Sequence, residues 1–189
     1  MSSNLTTRQL SLNDAQSVQD CYDSQPLLML APKRPDAQKY ADTFRQLLAS
    51  GCVAYGCFEA DRLLAFCVVW PWVDQPAATL VIFLNRPTGG VYNPERSGLR
   101  YAIDAALAHV EARGCWAIYY VRADARRWKR SRIAKRLGRL GEYRIVPVER
   151  LSAGSLSQWQ SINNRVLGGL PVPCNAIVVQ GLRPYDEDF

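Results

Sequence analysis

Histidine is almost missing from this chain. His109 is the only one, and methionine occurs twice. A single imidazole cannot build the multi-histidine sites that hold catalytic metals. The six cysteines, at 21, 52, 57, 67, 115 and 174, include no C-x-x-C pair, so a cysteine-only zinc site lacks its spacing. Cys52, Cys57, Cys67 and Cys115 stand in apolar runs, where a free thiol acts as a small hydrophobe and core packing is expected. Free thiols fit a reducing compartment, and a cytoplasmic location is expected. No run of eighteen apolar residues occurs, so no membrane span and no membrane partner are expected. The first twenty residues, MSSNLTTRQLSLNDAQSVQD, hold no apolar block of the kind a secretory leader needs. Internal repeats and low-complexity tracts are absent as well.

What is present is ordinary globular material with one unusual stretch. The 189 residues suit a single domain over 1–189, with 151–189 as a variable C-terminal strand and arm. Formal charge is +6, but it is concentrated. From Arg122 to Arg144 there are ten basic residues against Asp124 and Glu142, and the remainder of the chain is slightly acidic. Lys129, Arg132 and Arg136 share one stripe of a helix expected over 124–139. That segment reads as a solvated face, a nucleic-acid contact, a seat for an acidic protein or an aid to phosphate binding. Trp128 among the arginines allows base stacking, though one tryptophan is thin support.

Periodicity supplies an element order. Thr6–Leu10 is expected to be a strand, and Ser11 to Asp14 reads as a helix cap before Ala15, Val18 and Cys21 at helical spacing. The loop QPLLMLAPKRP follows. A second helix is expected over Asp36–Ser50, with Tyr40, Phe44, Leu47 and Leu48 on one side and Gly51 as its stop. CVAYGCF and LLAFCVVW flank the tight turn Glu59–Arg62 and predict an antiparallel hairpin. ATLVIFL is the next strand. A long helix is expected from Pro94 to Arg113, or alternatively from Ser97, with Ala102, Ile103, Ala106, Leu107 and Val110 as its apolar face. CWAIYYV is almost wholly apolar and predicts a central strand. YRIVPVERL, a helix over Ser155–Val166 and the strand NAIVVQGL complete the chain before the acidic tail RPYDEDF.

That order, and the stretch AIDAALAHVEARGCWAIYYV in particular, resembles the Gcn5-related N-acetyltransferase fold over about residues 5–150. The resemblance implies an α/β fold with a mixed, mostly antiparallel central sheet and helices on both faces. It also implies acetyl-coenzyme A as cofactor, held by backbone amides just before the long helix. The family's glycine-centred signature finds its nearest register at Glu95-Arg96-Ser97-Gly98-Leu99-Arg100, with Gly98 in the central place. Glu95 and Arg100 depart from the family pattern. Arg96 and Arg100 can supply ionic contacts instead. The candidate coenzyme residues are therefore Leu84, Asn85, Arg96, Ser97, Gly98, Leu99 and Arg100. Leu84 and Asn85 enter because the resemblance implies a wedge beside the fourth strand, often made by a bulge. A turn that merely starts a helix remains the competing reading of 95–100.

Catalytic groups are sparse. Acyl transfer to an amine needs a proton acceptor and often an acid for the leaving thiolate. The resemblance places a tyrosine on the helix after the fifth strand, and ADARRWKRSRIAKRLG has none. Tyr143, just beyond, is the candidate acid. ATLVIFL carries no carboxylate. Glu59 and Asp61 belong to a turn, Asp104 to a helix, and His109 is expected to be an exposed structural residue. Two functions stay open. One is an acyl-coenzyme A-dependent N-acyltransferase that moves an acetyl group onto a small-molecule or peptide amine by direct attack in a ternary complex. The LLML loop and the PVPCN segment would be its substrate walls. The other is an inactive structural or interaction protein, such as a phage virion component, that binds an acidic protein or nucleic acid through 122–144. A homo-oligomer is compatible with either.

Overall fold

The computed structural model describes residues 4–24, 38–73, 77–84, 98–121, 143–166 and 176–180. The basic segment 122–142, the LLML loop, PVPCN and the tail lie outside the described residues.

Seven strands form one sheet in the order β1-β2-β3-β4-β5-β7-β6. They are β1 (Leu5–Gln9), β2 (Val53–Glu59), β3 (Arg62–Pro71), β4 (Ala77–Leu84), β5 (Trp116–Val121), β6 (Tyr143–Pro147) and β7 (Ala176–Gln180). Every neighbouring pair is antiparallel except β4 with β5, which is parallel. The expected mixed, mostly antiparallel sheet is present. β7 lies inside the sheet between β5 and β6, so the C-terminal region completes it.

Sequence accounts for the layers. β3 reads RLLAFCVVWP, and its run of buried residues reflects a strand covered on both faces. Its side chains alternate between two cores. Phe66 and Val68 face α1 (Ala15–Asp23), α2 (Gln38–Ala49) and α4 (Ala153–Val166). Ala65, Cys67 and Val69 face α3 (Leu99–Ala112). α1 buries Val18, Cys21 and Tyr22, and α2 buries Tyr40, Phe44 and Leu47. Tyr22 and Tyr40 stack at 3.8 Å between ring centroids and join these two helices. Complete burial of a side chain such as Phe44 contributes roughly 1.5–3 kcal/mol. On the opposite face, α3 presents Leu99, Ala102, Ile103, Ala106 and Val110, as its periodicity predicts. The polar edge strand β1, LTTRQ, is largely exposed, which discourages edge-to-edge pairing.

Local signals fare well at the termini of elements. Asp14 accepts Ser11 N–H at 2.8 Å and the Ser11 hydroxyl at 3.0 Å. It also accepts two bonds from Arg8, at 2.6 and 2.9 Å. The expected turn at 59–62 is there, with Ala60 at φ 51. The long helix begins later than Pro94, because Gly98 is left-handed (φ 66) and α3 starts at Leu99. That is close to the alternative start at Ser97.

Candidate functional site

The parallel pair β4–β5 is matched over only three rungs, Ala77 with Trp116, Ala78 with Ala117 and Thr79 with Ile118. Beyond them β4 continues to Leu84, paired only with β3, and β5 continues to Val121, paired only with β7. The sheet therefore forks, and it opens toward the C-terminal ends of both strands. No bulge in the β3–β4 ladder produces this, since β4 pairs with β3 without a break from Ala78 to Leu84. A register shift lies instead in the β2–β3 ladder between Cys57 and Phe58.

The root of the fork is tied down. The Trp72 indole N–H donates to the Thr79 hydroxyl at 2.8 Å, and Trp72 N–H donates to the Ala77 carbonyl at 2.8 Å. Thr79 is fully buried. It is thus a buried polar group with a partner, placed at the last rung before the strands part.

Helix α3 begins at the open end. A Cβ on Gly98 would lie 3.0 Å from Cys57 Cβ and Sγ and 3.1 Å from Leu64 Cβ. Ala65, next to Leu64, pairs with Leu84 at the end of β4. The first turn of α3 and the mouth of the fork therefore share one end of the sheet. Gly98 is required twice, for its left-handed backbone and for its seat on the irregular part of β2–β3. Ala102 N–H donates to the Gly98 carbonyl at 3.2 Å. A helix start leaves its first amides without intrahelical acceptors. No acidic residue stands in the first turn of α3 itself, so the helix's own side chains do not neutralise its positive dipole end.

The candidate residues fall out as follows. Leu84 ends β4 beside the fork, Gly98 caps α3, and Leu99 is buried beneath the first turn. Arg100 does not crowd the helix mouth. Its Nε turns back along the helix to Asp104 Oδ2 at 3.3 Å. Asn85, Arg96 and Ser97 lie outside the described residues. Tyr143 opens β6 and pairs with Gln180, which is itself aligned with Ala117 of β5. Its backbone is thus two strands from β5, about 10 Å across the sheet, level with the closed end of the fork. Glu59 and Asp61 are exposed at the open end, beyond β3. Asp104 has one oxygen buried without a hydrogen-bond partner among the described residues.

Two expectations are corrected. His109 is half-buried, not exposed, because its Nδ1 meets the Tyr55 hydroxyl at 3.0 Å across the α3–β2 contact. Burial first, and then Arg113, lower its pKa. Cys115 is only partly buried, packing against the edge of the α3 core at the turn between α3 and β5, while Cys52, Cys57 and Cys67 are buried as expected and Cys21 is buried too. Burial pushes the Cys52 thiol up to about 11 and raises Cys57 as well. Tyr55 and the Trp72–Thr79 pair escaped the sequence reading, since neither partner is near the other in a recognisable motif.

No protein-family model matches the chain, and no curated protein matches it in sequence. Solved structures do. An N-acetyltransferase from Staphylococcus aureus Mu50 superposes with a TM-score of 0.59 at 10% identity, covering 95% of this chain and 98% of that one. The ribosomal-protein-S18-alanine N-acetyltransferase of Escherichia coli gives 0.55 at 15% identity, over 98% of both chains. The PaiA N-acetyltransferase of Thermoplasma acidophilum, solved with coenzyme A, gives 0.55 at 11% identity, over 96% of this chain and all (100%) of that one. The forked sheet, the helix at its mouth and these superpositions together establish that the chain has the Gcn5-related N-acetyltransferase fold.

Proposed function

We propose that this protein is an acyl-coenzyme A-dependent N-acyltransferase that acetylates a small-molecule or peptide amine. One observation carries the reading: the β4–β5 fork opens at the same end of the sheet as the first turn of α3. A helix start offers amides and a positive dipole end to phosphate groups. The strand edges from Leu80 to Leu84 and from Tyr119 to Val121, which share no rungs, offer backbone groups to an amide-bearing arm between them.

The residues present fit such a cofactor. Arg100 is folded back on Asp104 at an exposed position, from which it can swing to a phosphate. Arg96, Ser97, Gly98, Leu99 and Arg100 would hold the diphosphate, and Leu84 and Asn85 would flank the arm. Acetyl-coenzyme A, when bound, supplies an acetyl group activated as a thioester. The protein's share is to align the amine with that carbonyl and to manage two protons. Tyr143 is proposed as the acid for the leaving thiolate. Its Tyr143→Phe variant should lower kcat about a hundredfold with KM little changed; an unaltered kcat removes Tyr143 from the mechanism.

A second reading has its own support. The strands flanking the fork, AATLVIFL and WAIYYV, contain neither carboxylate nor histidine. A catalytically inactive interaction protein that retains the fold would use the basic segment 122–144 to meet an acidic protein or nucleic acid. Calorimetric titration with acetyl-coenzyme A and its desulfo analogue decides between them. The enzyme reading expects dissociation constants on the order of micromolar, weakened about tenfold in Arg100→Glu. Arg100 is exposed, so this variant tests the site without disturbing the core. Failure of folded wild-type protein to bind at millimolar coenzyme overturns the enzyme reading and favours the second.

A further inference from the structure

At the other end of α3, away from the helix mouth, a small cavity of about 30 Å³ is lined by His109, Arg113 and Cys115 together with Val53, Pro71 and Gly51. The cluster joins a thiol, an imidazole and a guanidinium, and the proposed acyl transfer uses none of them. Tyr55 holds the imidazole through Nδ1 at 3.0 Å; in the tautomer whose Nδ1–H donates to the Tyr55 oxygen, Nε2 is the nitrogen that can accept a proton. Cys115 is the one cysteine among the described residues that is not buried. Its backbone is fixed by a bond from its N–H to the Val110 carbonyl at 3.0 Å, and its thiol rests on the Arg113 carbonyl at 3.6 Å, from which it must turn to reach the imidazole across the cavity. Arg113 is exposed and makes no ion pair among the described residues.

We propose that this cluster is a thiol-modification site, where Cys115 exchanges with anionic low-molecular-weight disulfides. His109 takes the thiol proton, directly or through a water in the cavity. The Cys115 sulfur then attacks one sulfur of the disulfide. A new S–S bond to Cys115 forms, the old S–S bond breaks, and the released thiolate takes up a proton. Cys115 is oxidised and the disulfide is reduced, so no further oxidant is needed. Arg113 attracts the carboxylates of the incoming molecule and sets the preference for anionic over neutral disulfides. The adduct would form immediately before Trp116, whose pairing with Ala77 is the first rung at the root of the fork.

The test treats reduced full-length protein with oxidised glutathione, follows intact mass and maps the modified peptide. The first adduct is expected on Cys115 and is abolished by Cys115→Ser. Loss of the imidazole as proton acceptor should slow adduct formation about tenfold in His109→Gln. Arg113→Gln, at an exposed position, should erase the preference for oxidised glutathione over 2-hydroxyethyl disulfide while the neutral rate holds. Each variant is compared at equal melting temperature with wild type. A first adduct on another cysteine overturns the proposal. So does a Cys115 rate equal to that of an unstructured cysteine peptide, or a rate that His109→Gln leaves unchanged. None of these readouts depends on acetyl-coenzyme A, so this site and the proposed enzyme activity stand or fall separately.

Discussion

Gly98 concentrates the residue-scale argument. Its φ of 66 is left-handed, and a Cβ there meets Cys57 and Leu64 at 3.0–3.1 Å. Gly98→Ala should therefore cost roughly 2–4 kcal/mol, the sum of backbone strain and overpacking. Urea titration measures this, and a loss below about 0.5 kcal/mol contradicts it. Asp14 offers a second residue-scale prediction. Bonds from Arg8 and Ser11 hold its pKa down to about 2, against 3.8 for a free side chain. A depressed carboxylate contributes stability that is fully present above its unfolded pKa and is lost as pH falls through its folded one. The window is thus roughly pH 4 down to 2. Because Arg8 is half exposed, solvent screening limits the loss to on the order of 1–2 kcal/mol. Asp14→Asn should flatten that part of the stability–pH curve, and an unchanged slope removes Asp14 as its source.

Among elements, the fork depends on how β4 is anchored before it leaves β5. Thr79 supplies the acceptor for the buried Trp72 indole at the last shared rung. Thr79→Val keeps the shape and removes that acceptor. A buried donor deprived of its partner costs about 1–3 kcal/mol, visible as a lower melting temperature. A variant as stable as wild type would mean that the indole finds another partner. The placement of α3 follows similar logic. Ala102 and Ala106 are completely buried against the sheet, and their small side chains let the helix lie close enough for Gly98 to reach the β2–β3 irregularity.

For the whole molecule, ligand linkage gives the broadest test of the proposed function. A ligand that binds only the folded chain stabilises it by about 2.7 kcal/mol at a hundredfold excess over Kd. For a chain of this size that is a rise of about 5–10 °C in Tm. Under the proposed function acetyl-coenzyme A should produce it and adenosine alone should not, because the fork between Leu84 and Val121 would take the arm that adenosine lacks. Equal shifts from both would place the binding energy away from the fork.

Much of the architecture was legible because it is local. Apolar runs of strand length, alanine-rich spacing in α3 and the Ser11–Asp14 cap each follow from near neighbours, and the element order carries the fold. Gly98 was singled out by the family resemblance alone, since periodicity placed it inside a helix starting at Pro94 or Ser97. Tertiary structure alone decided the rest. Only the sheet's pairing shows that β4 and β5 part after three rungs, since two apolar strands read the same whether matched or splayed. The turn of Arg100 back to Asp104 is itself local, an i,i+4 pair on the exposed face of α3. Only packing brings Tyr55 to His109, 54 positions apart, and so converts an apparently exposed histidine into a held one. Local sequence determines which segments become helix or strand, because propensity and periodicity act over a few residues. Where strands separate, and which distant side chains meet, depends on long-range packing that no single stretch of the chain encodes.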